Sequence, residues 1–294
     1  MWLQGVVPSR VTPFDAGGDV DEAGLRSLVD FAVQSGASGV LCGALAGEVA
    51  HLSAAEVRYV IDVVLESAGG RVPVIAGAGH RPEDAAGLAR FAAQQGAEAI
   101  LLAAPPGLSS LEAARDVATL ASAIDARVVV QEAPGYLGRS LGRDGLQFVL
   151  NSCENVRDVK VEGGAAALAS LLDASDVDAT RFWGGDGGLY ALDCLRCGAV
   201  GFMPGVELAD LLVTCVQAEL AGDPNHAEEL FASLLSLLAF EMQSLEIYVA
   251  SAETVLERRS LLERADSRAM PGGLSPLLAG ILKRHLRATG VGVS

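Results

Sequence analysis

The sequence predicts a (β/α)8 barrel followed by a helical C-terminal extension. Eight short runs of apolar residues alternate with helical segments, and most runs are continuously apolar, as buried parallel strands are. The joints repeat as well: SGASGVLC, QGAEAILL and CGAVGFM place Gly36, Gly96 and Gly198 at equivalent helix C′ positions. No GxGxxG motif follows the first strand, which disfavours an open doubly wound sheet. Eight such units in series favour a closed barrel.

The elements can be placed in order along the chain. Helix starts are marked by Asp21, Ser53 and Pro82, and LSAAE has the capping-box pattern, with Ser53 at N-cap and Glu56 at N3. Beyond about residue 205 only helical patterns follow, and the first of them closes the eighth unit. We therefore expect a barrel over 1–221 and a packed helical extension over 222–294. The predicted strands are 5–11, 39–42, 72–76, 99–103, 127–130, 156–160, 180–183 and 199–203, and the late helices are 206–221, 224–249, 251–266 and 274–288.

Charge and composition exclude several classes of function. The chain of 294 residues carries 21 Lys+Arg against 37 Asp+Glu, a formal net charge of -16, so it lacks the basic face of a nucleic-acid binder. Five cysteines are too few for a disulfide scaffold of this length. No secretory signal pattern and no apolar run of membrane-spanning length are evident. We expect a cytoplasmic protein that does not associate with membranes.

Lys160 is the strongest candidate for a reactive residue. It ends the apolar run NVRDVK, and the C-terminal ends of barrel strands are where active sites of this fold lie. The chain has only one other lysine, Lys283, and uses Arg for its other basic positions. Arg cannot form a Schiff base, whereas the neutral amine favoured by desolvation attacks carbonyl groups. The structural alternative is that Lys160 pairs with Glu162 or Glu132 and holds loops together.

Metal and redox sites are less well supported. The four histidines form no i,i+4 pair, and no carboxylate–histidine cluster falls at the strand ends, so we expect neither a metal nor a cofactor. Cys194 and Cys197 have CxxC spacing, but no second ligand pair accompanies them. Core packing on one face of a helix explains them better. The glycine clusters GAG and GGDGG allow close backbone approach to a ligand, and they equally suit ordinary turns.

Successive motifs over roughly residues 4 to 215 carry a family resemblance. Seven stretches resemble, in order, the strand-end motifs of the dihydrodipicolinate synthase and N-acetylneuraminate lyase family of class I aldolases. They are GVVPSRVTPFDAGGDVD, GALAGEVAHLSAAE, VPVIAGAG, QEAP with GYLG, NVRDVK, GGDG and GAVGFMPG. The resemblance implies a Schiff base between Lys160 and a 2-oxo acid such as pyruvate. It also implies a homo-oligomer, a dimer or a tetramer, because members are commonly homotetramers.

The chain departs from the family at the groups that bind substrate and move protons. The Gly-Thr-Thr-Gly-Glu loop of the family is similar to residues 44–48 here, without its two hydroxyls. The proton-shuttling Tyr of strand five corresponds to Gln131, and the neighbouring Glu132 points away from the barrel axis by strand alternation. The Arg of the strand-five loop corresponds to Tyr136, a possible hydroxyl donor, and a Tyr pair after strand four is replaced by Pro106 and Gly107.

These observations give a leading hypothesis and two alternatives. The first is a diverged Schiff-base lyase or aldolase acting on a 2-oxo acid or related carbonyl compound, other than dihydrodipicolinate synthase itself, with a larger or less polar substrate. The second is a non-catalytic binding or scaffold protein, and the third is a dehydratase or decarboxylase on the same barrel. In the first, the catalytic candidates are Lys160, Gln131, Tyr136 and Glu132, and the substrate-binding candidates are Leu45, Ala46, Gly47, Glu48, Gly107, Gly184, Asp186 and Met203.

Overall fold

The computed structural model describes residues 3–79, 82–105, 108–172 and 180–292. Eight parallel strands form one sheet, in which each strand from the third onward is hydrogen-bonded to the strand that precedes it in the chain, and the first pairs with the last. The strands are β1 (Gly5–Val6), β2 (Val40–Cys42), β3 (Val74–Gly77), β4 (Ala99–Ala103), β5 (Arg127–Glu132), β6 (Val156–Val161), β7 (Arg181–Gly184) and β8 (Gly201–Phe202).

Ser9 closes the ring of strands. It lies just beyond β1 and bridges in parallel both to Leu41 of β2 and to Gly205 beyond β8. The predicted barrel with a helical extension is therefore confirmed. Strand β1 is shorter than predicted, because Pro8 has no N–H to donate to the ladder. Strands β5 and β6 run slightly further than predicted, to Glu132 and Val161.

Helices cover the outside of the barrel and form the extension. Gly36, Gly96 and Gly198 all have positive φ at the predicted helix ends. Ser53 and Glu56 make the predicted capping box at the start of the second helix. The helices are α1 (Glu22–Gln34), α2 (Ala54–Ala68), α3 (Pro82–Gln95), α4 (Ser110–Ser122), α5 (Pro134–Leu137), α6 (Gly142–Ser152), α7 (Gly164–Leu172), α8 (Ala191–Arg196), α9 (Ala209–Leu220), α10 (Pro224–Glu241), α11 (Leu245–Arg258) and α12 (Pro276–Thr289).

In the extension, α10 and α11 pack on the barrel and α12 packs on α10. The helix boundaries predicted here were wrong at two places, and one of them is the end of α11, which lies at Arg258 and not at residue 266. The helix expected over 224–249 ends at Glu241, and α11 begins at Leu245 and crosses the predicted boundary at 250. The reason is Ser244, whose hydroxyl accepts a hydrogen bond from the N–H of Ile247 at 3.2 Å and caps the new helix. The division between 1–221 and 222–294 remains a prediction.

The barrel interior is filled by side chains and is not a pore. At its base the buried carboxylate of Asp158 accepts hydrogen bonds from Arg127 at 2.7 Å and from the indole N–H of Trp183 at 2.8 Å. These contacts pair a charge that would otherwise be costly to bury. The other interior side chains form one apolar cluster, and its members are Leu3, Val7, Leu41, Ala44, Ile75, Ala99, Leu101, Val129, Trp183 and Met203. Any reaction site must therefore lie at the open end of the barrel, beyond these packed side chains.

Candidate active site

Lys160 lies inside the mouth of the barrel. Side chains alternate along β6, so Asp158, Lys160 and Glu162 share the inward face. In the sheet, Lys160 lies beside Gln131 of β5 and Trp183 of β7. Only 5% of Lys160 is exposed. The sequence prediction of a lysine at this position of the barrel is therefore met by the geometry.

The carboxylate of Glu162 is the immediate partner of Lys160. The ammonium of Lys160 donates to Oε1 of Glu162, and the amide of Gln131 donates to the same oxygen at 3.2 Å. The other oxygen accepts from the backbone N–H of Asp186. Both side chains of the ion pair are buried. The pairing that the sequence left open as an alternative is present, and it places a proton acceptor directly on the candidate nucleophile.

The glycine run after β7 makes room for this carboxylate. A Cβ atom on Gly185 would lie 2.0 Å from Oε2 of Glu162, closer than any real contact. A side chain at Gly187 would lie 2.5 Å from the sulfur of Met242. Close packing against the site, and not only the need to turn, therefore explains these two glycines of GGDGG.

Asp186 and Tyr136 form the next layer of the site. Oδ2 of Asp186 accepts from the N–H groups of Gly163 at 2.6 Å and Gly164 at 2.8 Å, and the Tyr136 hydroxyl donates to Oδ1 at 3.3 Å. Burial, and then the nearby Glu162, raise the pKa of Asp186. Burial and the charge of Asp186 also raise the pKa of Tyr136. Tyr136 is thus held as a neutral donor at the rim.

A small cavity of about 40 Å³ lies beside Lys160, enough for about three water molecules. Among its lining residues, Ser9 is only 3% exposed, and no described group is within hydrogen-bonding reach of its hydroxyl. The N–H groups of Leu45 and Ala46, which open a 3₁₀ turn, also lack an acceptor among the described residues. The lining consists of Ser9, Leu45, Ala46, Tyr136, Lys160, Glu162, Gly187, Met203, Pro204, Gly205, Met242, Leu245 and Tyr248.

Further buried acids lie behind Tyr248 and Gly205, which line the cavity, although the acids themselves do not. Tyr248 of α11 donates to Glu207 at 3.1 Å, and a Cβ atom on Gly205 would lie 2.2 Å from both Glu207 oxygens. Burial raises the pKa of Glu207 to about 7. Glu241, next to it, is fully buried, and neither oxygen has a hydrogen-bond partner in the described part of the chain. Burial and the charge of Glu207 raise its pKa well above the usual value.

The predicted site residues divide into those in the cavity and those that support it. Lys160, Gln131, Tyr136 and Asp186 are joined by hydrogen bonds to or through Glu162, and Leu45, Ala46 and Met203 line the cavity. Gly107 lies outside the described residues.

The other predicted residues make structural contacts. Gly47 accepts a hydrogen bond from Thr12 at 2.7 Å, and Gly184 packs against Cys194. Glu48 accepts from Ser267 at 3.0 Å and from the N–H of Ala269. Glu132 is directed outward, as alternation predicts, and accepts from Ser140 and from the N–H of Leu141 at 3.1 Å.

Three residues of the cavity were missed or undervalued in the sequence. Glu162 was considered only as a structural partner, although its spacing of two from Lys160 on a strand already places both side chains on one face. Ser9 had a usable signal, since it is a polar residue within the first predicted apolar run, 5–11. Tyr248 had none, because only tertiary packing brings α11 to the barrel mouth.

Cys194 is buried in α8 whereas Cys197, just beyond it, is exposed, so the two do not share a face as predicted. Within the described ranges, no three His, Cys, Asp or Glu side chains are grouped so that they could hold a metal ion. No helix in the described part of the chain is long and apolar enough to cross a membrane.

Comparison with known proteins identifies the family. The model of the dihydrodipicolinate synthetase family matches residues 2–269. A 4-hydroxy-tetrahydrodipicolinate synthase of Methanopyrus kandleri is 30% identical over 80% of each chain, and that of Salinibacter ruber is 29% identical over only 63% of each. The dihydrodipicolinate synthase of Acinetobacter baumannii, solved in complex with pyruvate, superposes with a TM-score of 0.89 at 22% identity, covering 98% of this chain and 99% of that one. The chain belongs to the dihydrodipicolinate synthetase family.

Proposed function

We propose that this protein is a class I lyase or aldolase that forms a Schiff base between Lys160 and a 2-oxo acid or related carbonyl compound. The observation that carries the proposal is the buried pair of Lys160 and Glu162 beside a cavity that also contains an unpartnered hydroxyl. Pyruvate bound to the Acinetobacter baumannii relative supports the choice of a 2-oxo acid.

Glu162 acts as the proton carrier, because the amide of Gln131 cannot accept or release a proton. It accepts a proton from the Lys160 ammonium, and the neutral amine attacks the carbonyl carbon of the substrate. Glu162 returns that proton to the carbonyl oxygen and then carries a second proton from the attached nitrogen to the same oxygen, which leaves as water while a protonated C=N bond replaces the C=O bond. The iminium draws electrons from the adjacent carbon, so that a bond there is made or broken. Glu162 serves again when that carbon gains or loses a proton.

The end of the cavity next to β1 and β2 binds the substrate carboxylate in this proposal. The Ser9 hydroxyl and the N–H groups of Leu45 and Ala46 are donors without acceptors on the described protein, so a carboxylate satisfies all three. They stand in for the two hydroxyls that the loop has lost. Because that loop and Gln131 both differ from the pattern of the synthase, we propose a reaction other than dihydrodipicolinate synthesis.

Proton exchange at the substrate carbon tests catalysis directly. The protein is incubated with pyruvate or 2-oxobutanoate in D₂O, and loss of the C3 proton signals is followed by NMR. We expect exchange with the native protein and with Lys283→Ala, and none with Lys160→Ala. If the native protein exchanged no protons of either compound, the proposal would be overturned.

A second candidate, a binding protein without catalysis, is favoured by one observation. The Lys160 ammonium is already engaged by Glu162, as it would be in a purely structural pair. Such a protein would bind 2-oxo acids in calorimetry and show neither exchange nor a covalent adduct.

We also propose a cytoplasmic homo-oligomer, either a dimer or a tetramer. Leu220 of α9 and Leu277 of α12 are exposed apolar side chains of the kind that subunit interfaces cover. Sedimentation of the purified protein measures the assembly, and a monomer at micromolar concentration would contradict it.

A further inference from the structure

Tyr248 brings a hydroxyl group to the cavity from outside the barrel. It lies in the first turn of α11 and lines the cavity together with Lys160. Two glycines of the lining fix the position of its ring. A Cβ atom on Gly205 would lie 2.1 Å from the hydroxyl oxygen, and one on Gly187 would lie 3.6 Å from Cε2. Because Gly205 pairs with Ser9 in the ring of strands, the hydroxyl lies on the side of the cavity where the proposed function places the substrate carboxylate.

Glu207 binds the Tyr248 hydroxyl from behind. Its Oε2 accepts the hydroxyl hydrogen at 3.1 Å, and its Oε1 has no hydrogen-bond partner in the described part of the chain. The side chain of Glu207 is fully buried, and so is that of Glu241 next to it. Tyr248 is thus the one described side chain with which the carboxyl group of Glu207 shares a hydrogen bond.

The protonation state of Glu207 decides which way the Tyr248 hydroxyl points. The ionised carboxylate only accepts, so Tyr248 donates to it and turns a lone pair towards the cavity. The neutral acid donates from Oε2 to the Tyr248 oxygen, because Oε1 has no acceptor among the described residues. The hydroxyl hydrogen then points into the cavity. Burial, and then the charge of Glu207, raise the pKa of Tyr248 well above its usual value, so the hydroxyl keeps its own proton in both states.

The charged groups around Glu207 do not neutralise its carboxylate. Glu241 of α10 is a second acid, and burial together with the charge of Glu207 raises its pKa well above the usual value. Arg259, which follows α11, donates to both oxygens of Asp210, at 2.6 and 3.0 Å, and to the backbone carbonyl of Glu207. Burial is therefore the dominant influence on Glu207, and it raises the pKa of that carboxyl to about 7.

An anion that enters the cavity favours the neutral form of Glu207. The positive charge of Lys160 is already paired with Glu162. A substrate carboxylate near an ionised Glu207 places like charges close together in a buried site, which favours protonation of the acid. The neutral acid is also the state in which Tyr248 offers its hydrogen to the cavity. Charge repulsion and hydrogen bonding thus favour the same protonation state.

We propose that Tyr248 donates a hydrogen bond to the substrate carboxylate and that Glu207 takes up one proton from solvent as the substrate binds. The inference rests on the proposed function, from which it takes the carboxylate side of the cavity. Schiff-base formation leaves the proton count unchanged, because the Lys160 ammonium and a C=O group give a protonated C=N group and water. The proton that is taken up therefore belongs to Glu207, and the substrate binds as an anion together with one proton.

Calorimetry of pyruvate binding in two buffers measures the proton uptake. At pH 8, pyruvate is titrated into the protein in phosphate and in Tris, which differ in heat of ionisation, and the difference in binding heat gives the number of protons bound. Glu207 is mainly ionised at this pH, so we expect the native protein to take up about one proton per substrate. We expect no uptake by Glu207→Gln. Glu253→Gln, which changes an equally buried glutamate outside the cavity lining, is expected to keep the native value.

The same coupling makes binding depend on pH. Above about pH 7, we expect the Kd of the native protein for pyruvate to rise about tenfold per pH unit relative to that of Glu207→Gln, because only the neutral fraction of Glu207 is competent to bind. The Gln amide donates to Tyr248 at every pH, as the neutral acid does. Tyr248→Phe lacks the donor, so we expect its Kd at pH 6 to be at least about tenfold higher than the native value.

The outcomes separate this inference from the proposed function. Native binding of pyruvate without proton uptake, or equal uptake by Glu207→Gln, would overturn the inference and leave the Schiff base in place. An unchanged Kd of Tyr248→Phe at pH 6 would overturn it as well. Should Glu207→Gln not fold, the native proton count and Tyr248→Phe still decide the matter. Absence of both binding and a borohydride-trapped adduct with pyruvate and with 2-oxobutanoate would overturn the proposed function, and the inference with it.

Discussion

Replacing Glu162 with glutamine separates the proton carrier from the nucleophile. Glutamine has the same shape and still accepts the N–H of Asp186, but it cannot take up a proton. Lys160 remains in place, so a Schiff base is still chemically accessible. The variant therefore removes one function of the site and keeps its geometry.

The expected loss is large. Proton transfer by a positioned group contributes about 10²–10⁴-fold to a rate. We expect the rate at which Glu162→Gln exchanges the C3 protons of pyruvate to be at least about 100-fold lower than the native rate. The reason is that the variant lacks the carboxylate that contacts Lys160 and can carry the proton. Loss of one member of a buried ion pair also costs up to about 5 kcal/mol of stability. Thermal unfolding is therefore measured first, and rates are compared well below the transition.

The assay follows the exchange by NMR in D₂O, with Glu253→Gln as the matched control. Glu253 is an equally buried glutamate of α11, and its neighbours Glu48 and Asp266 lie outside the cavity lining. We expect that variant to exchange protons within about threefold of the native rate. Exchange by Glu162→Gln at a similar rate would refute the assignment of Glu162.

Three further predictions concern packing, pH and capping. Gly185→Ala places a Cβ atom 2.0 Å from Glu162, so we expect it to lower the exchange rate at least about tenfold; native-like exchange would contradict the close approach. Burial, and then the charge of Glu48, raise the pKa of Glu253 from 4.5 to about 9. Between these two pH values the folded chain keeps a proton that the unfolded chain releases, so the free energy of unfolding falls as the pH rises from 4.5 to about 9. Glu253→Gln should therefore raise Tm more at pH 8 than at pH 5, and an equal effect at both would refute this. Ser53→Ala removes the capping box of α2, and we expect a loss of about 1 kcal/mol in denaturant unfolding, whereas no change would show that the cap is dispensable.

Local patterns predicted the fold because buried parallel strands and helix ends each require particular residue types in the sequence. Continuous apolar runs located all eight strands, and the glycines at 36, 96 and 198 marked the joints that positive φ requires. The break between α10 and α11 was missed because Met242 and Leu245 continue the apolar pattern of a single helix. Only the cap made by Ser244 reveals where one helix stops and the next begins.

The candidate site was predictable where one strand carries two of its members. Lys160 was found from the strand end, and the alternation of β6 also contains Glu162, although the pattern alone cannot show whether the carboxylate faces the lysine or solvent. The contributions of Tyr248 and Gly205 depend on how α11 lies against the barrel, which no sequence spacing encodes.

The covalent adduct itself is the most direct test of the central claim. The protein is incubated with pyruvate and with 4-hydroxy-2-oxobutanoate, reduced with borohydride and digested, and the modified peptide is identified by mass spectrometry. The chain has two lysines, so the result is unambiguous. A reduced adduct on Lys160 and none on Lys283 is the predicted result. An unmodified Lys160 with both compounds would contradict the account and leave the ion pair with Glu162 as a structural contact.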